Sequence, residues 1–166
     1  VDWYKNPENR NYEKSLETEV AGVPHIFAWG GVHGAIEKYS GEGLFINCDV
    51  QSLYPSIMIE YGYLSRNVSE PKKYAEIKKT RLKLKKEKNP MQAPYKIVLN
   101  STYGAMKDKY NQLYDPLMAN NVCITGQLLL LDLIEHIEPY CKLIQSNTDG
   151  LFLKVKDEDT FEKIKT

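Results

Sequence analysis

The chain has 166 residues and no formal net charge at neutral pH, and 42% of its residues are hydrophobic. This composition suits one globular unit, or a compact unit with one protruding lobe, and it is sufficient to bury a hydrophobic core. No signal-peptide pattern opens the sequence, and the nearest approach to a membrane-spanning run, Leu128 to Leu131, is flanked by Gln127 and Asp132. We therefore expect no membrane span.

The three cysteines, Cys48, Cys123 and Cys141, are unclustered and lack metal-ligand spacing. Such usage is typical of reduced thiols inside a cell, so we expect a cytoplasmic protein.

The zero net charge conceals a basic block between Lys72 and Lys88. This block holds nine lysine and arginine residues against two glutamates, a balance of +7 that leaves −7 for the rest of the chain. A block of this kind indicates either contact with a polyphosphate or a solvated lysine-rich helix. Its position shortly before Lys96, which opens a further polar segment, favours phosphate contact.

The first forty residues are mixed in character and contain a glycine cluster, Gly30 to Gly34. Glycines at this density predict a turn or close backbone packing. His33 stands inside the cluster, and we interpret it as a hydrogen-bonding turn residue rather than a metal ligand.

A strand is predicted to end at Asp49. One side of a period-2 pattern carries Leu44, Ile46, Cys48 and Val50, and the other side carries Phe45, Asn47 and Asp49. A hydroxyl-rich bend containing Pro55 follows at once. Because the sheet holds a strand end rigid while the amides of the next turn stay unpaired, Asp49 is a candidate ligand for a metal or a substrate.

Helices and one strand pair are predicted for the remainder. The helices run from Pro55 to about Tyr63, from Pro71 to Lys88, from Pro94 to Ala105 or Lys107, and from Asp115-Pro116 to Glu138. The second and third form a helical hairpin. The fourth is predicted to be a buried support helix, with an apolar side of Leu117, Ile124, Leu128, Leu131, Leu133 and Ile134.

The predicted strand pair consists of Lys142 to Ser146 and Leu151 to Val155, joined by Asn147-Thr148-Asp149-Gly150. Asp-Gly between two apolar runs is a strong hairpin signal. The residues from Lys156 onward are either a helix start or a frayed tail.

Polar side chains of the helical hairpin fall in register. Lys96, Asn100, Tyr103 and Lys107 share one helix face, and the opposite face carries Tyr95, Val98, Leu99, Thr102 and Met106. This arrangement indicates docking of a polar, anionic ligand. In the preceding helix, Arg81 lies four residues after Ile77, which predicts that Arg81 points toward the partner helix. Arg81 and Lys85, also four residues apart, suit one phosphate group.

Three segments together resemble the A, B and C motifs of family B DNA polymerases. They are Asp49-Val50-Gln51-Ser52-Leu53-Tyr54-Pro55-Ser56, Lys96-Ile97-Val98-Leu99-Asn100-Ser101-Thr102-Tyr103-Gly104, and Asn147-Thr148-Asp149. The first two match the family patterns D-x-x-S-L-Y-P-S and K-x-x-x-N-S-x-Y-G, whereas the third has Asn147 where D-T-D has its first aspartate. The resemblance covers Leu44 to Val155 and is closest to the branch found in phages and prophages.

The resemblance implies an α+β fold: an antiparallel palm sheet backed by helices, with a helical-hairpin fingers insertion. Residues 1–70 and 108–166 would form the two parts of the palm, and residues 71–107 the fingers. A 3′–5′ exonuclease domain would precede Val1 and a thumb would follow Thr166. We therefore expect a fragment of a larger replicative polymerase, weakly active or inactive alone, from the cytoplasm of a bacterial host.

The resemblance also implies roles for individual residues. Asp49 and Asp149 would be the catalytic carboxylates and, with the Val50 carbonyl, would bind two Mg²⁺ ions, for which Mn²⁺ can substitute. The residues implied to bind the dNTP are Ser52, Leu53, Tyr54, Arg81, Lys85, Lys96 and Asn100. Those implied to contact primer–template DNA are Tyr103, Gly104 and Lys107. The Tyr54 ring would select deoxyribose.

Asn147 is expected to be auxiliary, because a carboxamide holds a metal more weakly than a carboxylate. The alternative for Asn147 is a plain turn residue. Two alternatives for the function also stay open. One is another palm enzyme, such as a reverse transcriptase or a primase-polymerase, and the other is a non-catalytic nucleic-acid-binding module that uses the basic block.

Overall fold

The computed structural model describes residues 15–165, which divide into two compact units. One unit comprises Ser52–Val122 and is helical. The other comprises residues 15–51 and 123–165 and contains a sheet. The first fourteen residues of the expected palm lie outside the described part.

The sheet has six strands in the order β1-β2-β3-β5-β6-β4, and every neighbouring pair is antiparallel. The strands are β1 (Leu16–Val20), β2 (Val23–Ala28), β3 (Gly31–Ala35), β4 (Leu44–Asp49), β5 (Cys141–Asn147) and β6 (Gly150–Val155). The expected α+β class is confirmed, as are the strand ending at Asp49 and the hairpin through Asp149.

The first three strands were not predicted from the sequence. Ala21 and Gly22 both have positive φ, 50° and 73°, so β1 and β2 are joined by a two-residue turn that matches the twist of the strands. A non-glycine residue at the first turn position conceals this signal. β2 and β3 meet at the glycine cluster, and His33 lies within β3 rather than in the predicted turn.

A long helix, α4 (Pro116–Ile137), contributes to the core of the sheet unit. The buried cluster consists of Val23, Phe27, Val32, Leu130, Ile134, Leu143, Leu151 and Leu153. Gln127 is also buried, and its side-chain amide donates hydrogen bonds to the carbonyls of Ala28 and Gly31, at 2.8 and 3.1 Å. The helix therefore fixes the turn between β2 and β3 through a polar contact.

Two of the leucines assigned to the buried side of α4 are exposed. Leu117 is 37% exposed and Leu128 is 60% exposed. The stripe that is buried instead is Ala119, Val122, Cys123, Gln127, Leu130 and Ile134. Because leucines occupy four successive positions from Leu128, they surround the helix, and composition there does not reveal which side faces the core.

Within the described residues, the segment Pro116–Tyr140 is long and apolar enough to cross a membrane by length and composition alone, with a mean hydropathy of 1.5. It contains polar residues such as Asn120 and Gln127, which is why an uninterrupted apolar run did not reveal it. Core helices of soluble proteins meet the same criterion.

The helical unit contains α1 (Leu53–Glu60), α2 (Pro71–Lys86) and α3 (Gln92–Lys107). The predicted hairpin of α2 and α3 is confirmed, and the buried Tyr74 hydroxyl joins the two helices by donating to the Leu99 carbonyl at 2.9 Å. Leu99 and Met106 are buried as expected, whereas Val98 is 45% exposed. At the C-terminal end, residues Glu158–Lys165 form α5, so the tail is a helix.

Candidate active site

Asp49 and Asp149 lie next to each other at one end of the sheet. Asp49 is the last residue of β4 and is paired in register with Gly150, the first residue of β6. One residue further along, the Val50 amide donates a hydrogen bond of 2.7 Å to the carbonyl of Asp149. The structure therefore places the two predicted residues beside each other through the backbone of β4 and the β5–β6 turn.

Asn147 shapes the turn that presents Asp149. Its side-chain oxygen accepts a hydrogen bond of 3.2 Å from the Asp149 amide, the pattern of an Asx turn. The same oxygen and one carboxylate oxygen of Asp49 lie 3.2 and 3.6 Å from the position that a Cβ on Gly150 would occupy. Asn147 is thus a turn residue, and its side-chain oxygen also borders the space beside Asp49. This placement is compatible with both interpretations from the sequence, an auxiliary site residue and a plain turn residue.

The carboxylates of Asp49 and Asp149 are exposed, and no lysine, arginine or histidine among residues 15–165 forms an ion pair with either. The same residues contain no cluster of three or more histidine, cysteine, aspartate or glutamate side chains that would enclose a metal. Two exposed carboxylates beside the Asn147 side-chain oxygen suit Mg²⁺, which prefers oxygen ligands and completes its shell with water and substrate phosphates. The donor set therefore fits a magnesium site that depends on its substrate.

In the helical unit, Arg81 is aimed at the start of α1. It is only 7% exposed, and one terminal guanidinium nitrogen donates a hydrogen bond to the Ser52 hydroxyl. Its Nε is buried without a hydrogen-bond partner, and no carboxylate in the described chain pairs with it. The sequence predicted that Arg81 points toward the partner helix of the hairpin. Arg81 is buried, but its hydrogen bond runs to Ser52 before α1, and the guanidinium retains capacity for an anion.

Ser52 precedes α1 in the left-handed conformation, with φ 58° and ψ 47°. The first intrahelical bond runs from the Ser56 amide to the Ser52 carbonyl, so the amides of Leu53 and Tyr54 stand at the open helix end. A left-handed residue followed by helical residues turns successive amides toward one concave side, which favours anions. This geometry agrees with the expectation that amides of the turn after Asp49 stay unpaired.

The remaining predicted nucleotide residues are more open. Lys85, Lys96 and Asn100 are exposed on α2 and α3. Tyr103 lies edge-on to Tyr54, with ring centroids 4.7 Å apart, and the Lys107 ammonium lies 5.3 Å from the Tyr103 ring. Gly104 has open space where a Cβ would extend. The Tyr54 ring is thus held by the helix that carries the second motif.

The polar side chains on the sheet face of Asp49 were not predicted from the sequence as one group, although Asn147 was expected to be auxiliary. Asn47, Gln145 and Asn147 line an open pocket of about 290 Å³ with Phe152 and Gly150. The sequence does indicate part of this set, because the period-2 alternation of β4 places Asn47 on the same side as Asp49. In β5 the alternation is interrupted by a bulge between Leu143 and Gln145, so a simple count does not place Gln145 on this face.

The histidines and cysteines add no further chemistry at this site. His33 Nε2 lies 3.5 Å from the Thr148 hydroxyl on the surface, whereas His25 is buried between Val23 and Ser146. All three cysteines are free thiols, and burial raises the pKa of Cys48 and of Cys141. These thiols are therefore poor nucleophiles and poor metal ligands near neutral pH.

No protein-family model matches the chain, and no curated protein is similar to it in sequence.

Proposed function

We propose that the chain is the palm and fingers part of a family B DNA polymerase. Its reaction would be template-directed transfer of a nucleotide from a dNTP to a primer 3′-hydroxyl. The observation that carries this proposal is the junction of Asp49 with the Asn147–Gly150 turn, where two exposed carboxylates have no ion-pair partner among residues 15–165. The three motifs that resemble the family contribute this junction and the turn at Ser52.

Asp49 and Asp149, with the Val50 carbonyl, would hold the divalent metal. When bound, the metal would stabilise charge on the transferring phosphoryl group and lower the pKa of the attacking hydroxyl. The protein then has two tasks. It holds these oxygen ligands in place, and it positions the two substrates. The hydrogen bond from the Val50 amide to the Asp149 carbonyl serves the first task, because it fixes the turn to the end of β4.

Arg81 is the residue best suited to bind the triphosphate. Its guanidinium has one hydrogen bond, to a neutral hydroxyl, and a buried Nε with no acceptor, so an anionic oxygen would satisfy it. The exposed Lys96 would add a second cation, and the amides of Leu53 and Tyr54 would add donors that cost no reorganisation. The Tyr54 ring, which packs edge-on against Tyr103, would exclude a ribose 2′-hydroxyl.

The test is Mg²⁺-dependent binding of dTTP to the full 166-residue chain, followed by single-nucleotide incorporation. Replacing Asp49 or Asp149 by asparagine is expected to abolish the Mg²⁺-dependent part of dTTP binding and to lower incorporation by a factor on the order of 100. Asn147→Ala should reduce Mg²⁺-dependent dTTP binding and incorporation less than either aspartate replacement. Asp132→Asn, an exposed carboxylate on α4, is the matched control and should leave both measurements unchanged.

Unchanged Mg²⁺-dependent dTTP binding in Asp49→Asn would refute the proposal and favour a non-catalytic nucleic-acid-binding module. Incorporation on an RNA template as efficient as on DNA would instead favour a reverse transcriptase.

A further inference from the structure

A buried histidine lies close to the turn that carries Asp149. His25 is the third residue of β2, where the alternation of Val23, His25 and Phe27 places it among inward-facing residues, and it is 1% exposed. Burying a polar side chain costs free energy unless its polar atoms are hydrogen-bonded. A histidine at a position where the strand alternation favours an apolar residue therefore needs partners.

Both ring nitrogens of His25 have a hydrogen-bond partner. Nδ1 donates to the Val23 carbonyl of the same strand at 2.8 Å. In the neutral ring Nε2 is then an acceptor, and the Ser146 hydroxyl donates to it. Ser146 is 2% exposed, so the bond is shielded from water and each of the two side chains satisfies the other.

The hydrogen bond between His25 and Ser146 crosses the shortest ladder among the described strands. The ladder between β3 and β5 consists of the register pairs Gly34 with Ser146 and Ala35 with Gln145, and a bulge in β5 follows. Because His25 belongs to β2, its ring spans β3 to reach β5. The bond therefore ties the β5–β6 hairpin to a further strand at the place where backbone pairing is least extensive.

Ser146 is the last residue of β5 that has register partners on both neighbouring strands. It pairs with Gly34 of β3 and with Leu151 of β6, whereas Asn147 pairs with Gly150 and with no described residue of β3. Beyond Ser146, the pairing that holds β5 is that of its own hairpin. The contact from β2 thus acts where β5 leaves the interior of the sheet and the turn begins.

The turn connects Ser146 to the two aspartates through short steps. Asn147 follows Ser146 directly, and its side-chain oxygen accepts a hydrogen bond from the Asp149 amide at 3.2 Å. The Asp149 carbonyl in turn accepts from the Val50 amide at 2.7 Å, next to Asp49. A displacement of Ser146 would therefore shift Asp149 relative to Asp49. A misplacement of about 1 Å in a catalytic group can cost on the order of 100-fold in rate.

We propose that His25 is a positioning residue for the site of Asp49 and Asp149. Through Ser146 it fixes the last doubly paired position of β5, and with it the turn that holds Asp149 beside Asp49. His25 is buried and performs no chemistry itself. The role rests on the proposed function, because a fixed placement of the two aspartates matters for a metal that both would bind.

The first test contains no metal. Hydrogen exchange of backbone amides is followed by nuclear magnetic resonance on the ¹⁵N-labelled 166-residue chain in EDTA. The exchange rate at Val50, whose amide is bonded to the turn, is divided by the rate at Leu153, which is buried in β6 and reports opening of the whole sheet. Ser146→Ala should raise this ratio about tenfold, since one buried hydrogen bond corresponds to roughly that factor.

Two substitutions of His25 separate the hydrogen bond from the packing of the ring. Asparagine reaches the position of Nδ1 but not that of Nε2, so His25→Asn should match Ser146→Ala. Glutamine can place an acceptor oxygen near the position of Nε2, so His25→Gln should keep the ratio within about twofold of the wild type. Ile134→Val, which removes a methylene group from the core on α4, is the control for general destabilisation and should leave the ratio unchanged.

The second test is Mg²⁺-dependent binding of dTTP to the same proteins. Ser146→Ala and His25→Asn should weaken this binding by a factor of about five, whereas His25→Gln and Ile134→Val should bind dTTP as the wild type does. Should His25→Asn not fold, Ser146→Ala carries both tests, because it removes a single oxygen atom.

An unchanged exchange ratio in Ser146→Ala would overturn the inference. A raised ratio with undiminished dTTP binding would overturn it too, since the contact would then stabilise the turn without serving the site. Failure of the proposed function gives a different result, because the wild-type chain itself would then show no Mg²⁺-dependent dTTP binding, and the positioning role would fall with it.

Discussion

Gly34, the fourth residue of β3, makes room for a buried polar bridge across three strands. It is paired in register with His25 on one side and with Ser146 on the other. His25 Nδ1 donates to the Val23 carbonyl at 2.8 Å, so in the neutral ring Nε2 accepts from the Ser146 hydroxyl. The ring crosses directly over Gly34, and the bridge reaches the residue that precedes Asn147.

Replacing Gly34 by alanine should destabilise the protein. The new Cβ would lie 2.5 to 2.6 Å from three atoms of the His25 ring, and both ring nitrogens are held by hydrogen bonds, so the ring has little freedom to move. The expected loss is about 1–3 kcal/mol in the free energy of unfolding, measured by urea titration. Gly30→Ala is the matched control, because its Cβ would meet no atom within 4 Å. Equal losses in both variants would show that the ring is not confined.

At the level of elements, Asp115 joins the start of α4 to the segment between α1 and α2. Its carboxylate, 2% exposed, accepts hydrogen bonds from the Arg66 amide and guanidinium at 2.9 to 3.0 Å and from the Met118 amide at 3.4 Å. Burial alone would raise the pKa of Asp115, but the hydrogen bonds and charge of Arg66 outweigh it, and the pKa lies below its usual range.

The lowered pKa gives Asp115→Asn a defined pH dependence. A carboxyl group with a depressed folded-state pKa contributes stability above its unfolded pKa, and this contribution is lost as pH falls through the folded value. At pH 7 the variant should be less stable than the wild type by about 1–3 kcal/mol, and the difference should shrink below about pH 4. Urea titrations of both proteins, at pH 7 and at values down to about pH 4, measure this difference in the free energy of unfolding.

Asp157→Asn is the control for this prediction. Asp157 also accepts a hydrogen bond from a helix amide, that of Thr160 at 2.8 Å, and hydrogen bonds from Thr160 lower its pKa as well. It is exposed, however, so solvent screens the interaction, and no arginine of the described residues pairs with it. Its replacement should change stability little at either pH. A difference between Asp115→Asn and the wild type that stays constant with pH would mean that the charge of Asp115 is not what stabilises this contact.

The sequence predicted those elements whose signals are local. Proline at a first helical position fixed the start of α2 at Pro71 and of α4 at Pro116, and Asp-Gly predicted the β5–β6 turn. The side of α4 that is buried was not predictable from the run of leucines. The bulge in β5 similarly hid the position of Gln145 on the face of Asp49, since a period-2 count fails where one strand has an extra residue.

At the scale of the whole molecule, the site residues were predictable in kind because motif spacing fixes them in the sequence. Their pairing was predictable only in part. The adjacency of Asp49 and Asp149 depends on β4 pairing with β6, a contact between segments a hundred residues apart that no local pattern specifies. The structure also distinguishes Arg81, which is buried, from the exposed lysines of the same basic block.

This distinction leads to a prediction about how the neutral chain responds to polyanions. The basic block carries a charge of +7, so binding of inorganic tripolyphosphate should raise the thermal midpoint of unfolding. We expect this increase to have a salt-sensitive part and a salt-resistant part. Contacts with exposed lysines are screened and should vanish at high salt, whereas binding at Arg81, which is shielded from water, should persist. Arg81→Met should therefore remove the salt-resistant part.

The same variant should not be less stable without the anion, because methionine replaces a buried cation that has no carboxylate partner. Lys79→Gln, an exposed position in the block, is the control and should reduce only the salt-sensitive part. Thermal scans with and without tripolyphosphate, at low salt and at about 1 M salt, distinguish these outcomes, since the Debye length falls to about 3 Å at the higher concentration. If Arg81→Met kept the full salt-resistant shift, the anion would bind elsewhere, and the proposed role of Arg81 in holding the triphosphate would be wrong.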